Sequence, residues 1–184
     1  PQHVPRKGNS SKPSAETIDT GLTRRTRSKA QAFKPVGWLA YTALFLLTVA
    51  SDSPIFLSGL AWSEYDQVER SPYQSMELWT ESWDPEIIRA EDPLTLSSYF
   101  IEQSIPFALP ATHHAINLLL HITAAILLLK NLEALKLTTA FSAALVFALH
   151  PAAMQTIFWS GYRAELIGLI LILAALYFGI KNRN

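Results

Sequence analysis

His114, Asn117 and His121 stand at i, i+3 and i+7 in and just before the apolar run AINLLLHITAAILLL. On an α-helix that spacing puts the three side chains in one stripe. Such a stripe can ligate haem iron or chlorophyll magnesium, or form part of a sugar-phosphate site, and polar groups at membrane depth are functional candidates by default. The plainer chemistry is hydrogen bonding to neighbouring helices or their carbonyls. No other apolar run carries a central histidine to complete a pair, because His150 falls at the end of its segment. A pigment, a haem or a lipid lodged between helices is the class of cofactor the stripe would serve, and the sequence names none of them.

Arg163 and Glu165 form the second cluster, placed where another apolar run begins. Arg163 there could recognise a phosphate, helped by the positive end of the helix. The plainer reading is an interfacial anchor beside a carboxylate that suits a helix start. The chain has no cysteine, which excludes disulfides, thiolate metal sites and a catalytic thiol. A phosphate-cradling glycine loop, zinc spacing and a nucleophile elbow are missing as well, so no metal is expected. With 15 Lys+Arg against 15 Asp+Glu the net charge is zero, which suggests no nucleic-acid partner.

The elements that must hold these residues are apolar helices. Hydrophobic residues make up 49% of the 184 and charged ones only 16%, richer than most soluble domains. Four runs read as spans: Val36–Ala50, Ala115–Leu129, Leu137–Leu149 and Ala164–Ile180. All are short for a hydrocarbon core about 30 Å thick, which wants about 20 residues. Only helices satisfy their own backbone in lipid among such segments. Polar Ser51-Asp52-Ser53-Pro54 is expected to end the first span, and His150-Pro151 to close the third. The fold class is therefore an all-α integral membrane protein of about four transmembrane helices.

Charge placement gives the orientation. Residues 1–34 are polar and carry eight Lys/Arg, a basic cytoplasmic arm that reads as an electrostatic tether and topology signal. No signal peptide opens the chain, and the leading proline fits removal of an initiator methionine. With both termini cytoplasmic, 12 of the 15 Lys/Arg fall inside and 12 of the 15 acids on or near the outer side, as the positive-inside rule requires. The loop 51–113 then lies on the periplasmic or lumenal side. It is too long for a simple connection. Segment 74–91 reads as a short amphipathic helix broken at Pro85, and 94–109 is apolar enough to lie in the interface, making a helical cap between helices 1 and 2. Its Trp and Tyr residues suit the aromatic belt, and its carboxylates Glu77, Glu81, Glu86 and Glu91 could dock a basic soluble partner.

Three stretches resemble a known family. PLTLSSYF, HHAINLLLH and AALVFALHPAAMQTIFWSGYRAELIG, in that order, are similar to multispanning glycosyltransferases of the C superfamily. They are closest to lipid-phosphate-mannose-dependent O-mannosyltransferases that carry tetratricopeptide repeats. The resemblance covers about residues 60–180. It implies an acidic pair just after the first span, acting as general base on the acceptor hydroxyl. That place here is Trp62-Ser63-Glu64-Tyr65-Asp66: Ser63 stands where the first acid is expected, and Glu64, with Asp66 nearby, would have to substitute as the catalytic carboxylates. His150, Pro151, Trp159 and Arg163 match the later motif. Ala153 and Gln155 stand where the family has histidine and glutamate, and Glu165 where it has aspartate. The family also uses many more spans to enclose its lipid-linked donor.

These departures imply a truncated, inactive descendant. The expected function is a non-catalytic accessory subunit of a larger membrane complex, photosynthetic or respiratory, whose partners are other membrane subunits and lipids. The alternative is a glycosyltransferase, whole or half of a split one, moving a sugar from a lipid-phosphate donor to a hydroxyl. Its site would be Glu64, Asp66, Arg163 and Glu165.

Overall fold

The computed structural model describes residues 35–59, 76–84, 93–103 and 110–183, all within the unit Phe33–Asn184. The basic arm 1–34 and the carboxylates Glu64, Asp66, Glu86 and Glu91 lie outside the described residues. Every regular element among the described residues is helical: α1 (Trp38–Asp52), a 3-10 turn (Ser53–Leu57), α2 (Met76–Glu81), α3 (Pro93–Gln103), α4 (Pro110–Ala134), α5 (Ala140–Leu149), α6 (Pro151–Phe158), a second 3-10 turn (Ser160–Tyr162) and α7 (Arg163–Arg183). Three helical stretches are long and apolar enough to cross a membrane: Trp38–Leu57, Ala111–Ala134 and Arg163–Arg183. The pair α5–α6, bent by 55°, makes a fourth if counted as one broken span.

Side-chain contacts decide how the four run. The start of α1 meets the end of α4, where Val36 N–H donates to Glu133 Oε1 at 2.6 Å and the Tyr41 hydroxyl donates to Glu133 Oε2. Past the far end of α1, Ile55 packs on Leu118 and Ile122 of α4, so α1 and α4 are antiparallel. Arg163 at the start of α7 bonds Asn117 near the start of α4, while Asn131 further along α4 bonds the Leu173 carbonyl further along α7. Those two helices are therefore parallel. Because α4 and α7 start at the same end, the chain between them must travel back the length of the bundle, and α5–α6 does so. Ala140 packs with Leu129, and the Ile157 carbonyl reaches Asn117. The result is an up-down-up-down bundle with α4 at its centre.

The third apolar run departs from expectation at His150-Pro151. Pro151 has no N–H and cannot continue α5, and it pushes His150 into an extended conformation (φ −69°, ψ 131°). The helix does not end there for good. Pro151 becomes the first residue of α6, and His150 Nδ1 accepts from Ala152 N–H at 3.1 Å, capping it. The expected span was only the first half, because α5 has ten residues, about 15 Å at the helical rise.

Other boundaries also move. α1 ends at Asp52 but continues as 3-10 to Leu57. The helix of the second span begins at Pro110, a little more than a turn before Ala115, and takes in His113 beside the stripe residue His114, so the outer loop is shorter than 51–113. In segment 74–91 the helix stops at Glu81, before Pro85, with Ser82 and Trp83 in a turn. Residues 85–91 and 104–109 lie outside the described residues.

Two apolar clusters stack along α4. One joins Leu44, Ala125, Leu129, Ala140, Ala144 and Ala148, and the other Ile55, Leu118, Ile122 and Ile157. The alanines at 140, 144 and 148 recur every fourth residue, a small-residue stripe that lets α5 lie close to α1 and α4. The turn from α4 to α5 closes with paired bonds, Lys136 N–H to Glu133 O at 2.8 Å and Leu137 N–H to Leu132 O at 3.1 Å, with Lys136 left-handed at φ 58°. That is a Schellman turn.

Candidate functional site

The helix break leaves carbonyls without their usual donors, and the polar stripe of α4 supplies them. Ala152 N–H, the natural partner of Ala148 O, is engaged by His150. His121 Nε2 lies 3.1 Å from Ala148 O instead. A carbonyl only accepts, so Nε2 carries the hydrogen and donates it. Asn117 Nδ2 donates to Ile157 O in the last turn of α6 at 3.3 Å. His114 stacks on Phe158, centroids 5.6 Å apart, and His121 stacks on Phe147 at 5.2 Å. All three stripe residues are buried. Their helical spacing thus brings them onto the broken span.

Arg163 is completely enclosed, at 0% exposure. Its Nε donates to Asn117 Oδ1 at 2.9 Å and its Nη1 to Glu102 Oε2 at 2.6 Å, with Ser98 Oγ a weaker contact at 3.5 Å. The guanidinium lies over the Tyr99 ring, 4.4 Å from its centroid, within reach of a cation–π attraction. Nη2 has no hydrogen-bond partner among the described residues. Glu102 also faces His113, whose Nδ1 is 2.8 Å from Oε1, close enough to pair though off the line of a good hydrogen bond. Burial alone would raise the Glu102 carboxyl. The close His113 ring and the Arg163 charge outweigh it and hold the group below its ordinary range. One carboxylate of α3 is thereby gripped by α4 and α7 together.

Arg163 and Glu165, adjacent in the sequence reading, part company. Glu165 is exposed while Arg163 is buried, because residues two apart on a helix face different ways. Sequence reasoning missed Glu102 and His113. A lone carboxylate in the apolar stretch LTLSSYFIEQSIPFAL was the available signal, since such a group needs a partner when buried. In its described part, α3, Leu96 and Tyr99 are buried, and Trp79 of α2 donates to Ser97 Oγ at 2.8 Å and stacks on Phe100, while Leu94 and Ile101 stay exposed. Among the described residues no three His, Asp or Glu side chains converge as metal ligands.

No family model matches this chain, and no curated protein or solved structure is similar to it.

Proposed function

We propose that this chain is a non-catalytic accessory subunit of a larger membrane protein complex, crossing the bilayer four times with both termini cytoplasmic. The observation that carries the reading is the state of Arg163. The cation best placed for phosphate chemistry is enclosed and bonded to Glu102 and Asn117, so it ties α3, α4 and α7 together. The polar stripe is turned to the same use, on the carbonyls of a broken helix.

The surface supports the same conclusion. α7 is barely covered by the rest of the bundle, and Leu171, Ile172, Leu176 and Phe178 are more than half exposed. Such faces suit lipid or neighbouring transmembrane subunits. Descent from a C-superfamily glycosyltransferase accounts for the motif HPAAMQTIFWSGYRAE surviving as a structural clamp. At the end of the bundle away from the α4–α5 turn, Glu77 and Glu81 begin an acidic surface for a basic soluble partner.

The test is purification of the tagged native protein in mild detergent, with mass spectrometry and an absorption spectrum of what co-elutes. Stoichiometric recovery with a large complex is the expected result, and a spectrum would reveal a pigment or haem. Elution alone, or with only a lipid-linked sugar, would overturn the reading and return the transferase to first place.

A further inference from the structure

One buried acid of the bundle has no part in the clamp at Arg163. Asp52, the last residue of α1, is 4% exposed, and its Oδ2 has no hydrogen-bond partner among the described residues. The buried residues of α1 are Leu44, Thr48 and Asp52, spaced by four and therefore on one face. Packing fixes the register of that face against α4. Leu44 lies with Ala125 and Leu129, and Ile55 with Leu118 and Ile122. Asp52, just short of Ile55, thus comes to the level of His121, itself 1% exposed. The two side chains act on each other electrostatically. From α1 the pair also meets the hydroxyls of Ser51 and Thr48, and from α5 and α6 the uncharged Ala148 and Ile157. His150 and Glu165 share a cavity wall with His121, but the charge that acts on His121 is that of Asp52.

We propose that Asp52 and His121 together bind one proton, making a proton site inside the membrane-spanning bundle. His121 Nε2–H is committed to the Ala148 carbonyl, which leaves Nδ1 as the ring nitrogen for the acid. A carboxylate enclosed without a partner is costly, and a proton from the aqueous phase cancels its charge. That proton sits on the carboxyl beside a neutral ring, or on Nδ1 as imidazolium beside carboxylate. Both forms have zero net charge, so transfer breaks one O–H bond, makes one N–H bond and separates charge only within the pair. Among the described residues the direct ion pairs are those of Glu102, so a water bridges Oδ2 and Nδ1, giving up one proton as it takes another. Thr48 Oγ1, whose own hydrogen goes to Leu44 O, supplies that water with a third partner. Ionisable groups paired at membrane depth are the means by which helices hold and pass protons in lipid. The inference rests on burial and register, so it stands or falls apart from the accessory-subunit reading.

The experiment is infrared and nitrogen-15 NMR spectroscopy of the full chain, histidine-labelled, in phosphatidylcholine nanodiscs at neutral pH. Wild type should show either a protonated-carboxyl band or an imidazolium signal from His121. Asp52→Asn, which keeps the shape, should lose whichever is present. In Asp52→Leu the His121 Nδ1 resonance should move to that of a bare ring nitrogen while Nε2 stays bonded to Ala148 O. A purely structural role for Asp52 would leave both nitrogens where they were. An ionised Asp52 beside a neutral His121 in wild type, or a wild-type proton signal unchanged in Asp52→Asn, would overturn the proposal.

Discussion

Arg163 opens α7, the end where the helix dipole is positive and an arginine is out of place unless an anion faces it. Glu102 is that anion, and neither group has access to water. Breaking such a pair from one side leaves a buried uncompensated charge, so Arg163→Ala should cost about 3–5 kcal/mol. Replacing both partners, Glu102→Leu with Arg163→Met, should restore much of that, as measured by denaturant titration in detergent micelles. The pair also sets an acid limit. A carboxyl held below its ordinary value of 4.5 in the folded state binds fewer protons than in the unfolded chain. The stability it lends is therefore complete above that value and drains away as pH falls through the folded one. Arg163 and His113 are the charged and titratable groups facing it. Melting followed from pH 7 downward should show an acid loss that flattens in Glu102→Gln. His121→Ala belongs to the same scale. It leaves the Ala148 carbonyl buried without a donor, at a cost of roughly 1–3 kcal/mol, whereas His121→Gln, which can still donate, should lose less.

At the scale of the element, α5 illustrates how little of a span is intrinsic. Its ten residues are almost uniformly apolar, yet only Ala140, Ala144 and Ala148 are buried. The partner helices select that face because alanine lets them approach. Ala144→Leu should push α5 from Leu44 and Leu129, destabilising by about 1–3 kcal/mol in thermal melts, the usual cost of overpacking. The turn before α5 carries a different strain. Lys136 sits at φ 58°, where a side chain costs roughly 1 kcal/mol that glycine avoids. Lys136→Gly should raise the melting temperature, provided the Schellman bonds persist. Though the first continues past its expected stop as a 3-10 turn to Leu57, the four apolar runs were legible in local composition. The union of α5 with α6 was not. His150-Pro151 looks like a stop when only its neighbours in sequence are considered. It becomes a bend once His150 caps the next turn and His121 satisfies the stranded carbonyl.

Considered as a whole, the molecule places residues 35–37, the α4–α5 turn and the end of α7 at one end, and α2, α3 and the α6–α7 junction at the other. Because the chain contains no cysteine, single cysteines report sidedness cleanly. Glu77→Cys should react with an impermeant maleimide from outside intact cells. Lys136→Cys and Asn182→Cys should react only after permeabilisation. Labelling of positions 77 and 136 from the same side would contradict four crossings. A split between 136 and 182 would show that α5–α6 does not complete its crossing.

By itself the sequence determined that the chain is helical and rich in apolar runs, and where its charges gather. Both are local properties, summed over a few turns, and need no knowledge of what lies opposite. It also placed His114, Asn117 and His121 in one stripe, since helical periodicity is local too. Only the tertiary structure decided what the stripe and Arg163 touch. Glu102 and Arg163 are 61 residues apart, and His121 and Ala148 are 27 apart. Which buried polar group meets which depends on the path of α5–α6 back along the bundle. That path is set by a proline bend and a row of alanines, whose effect exists only once the helices are packed together.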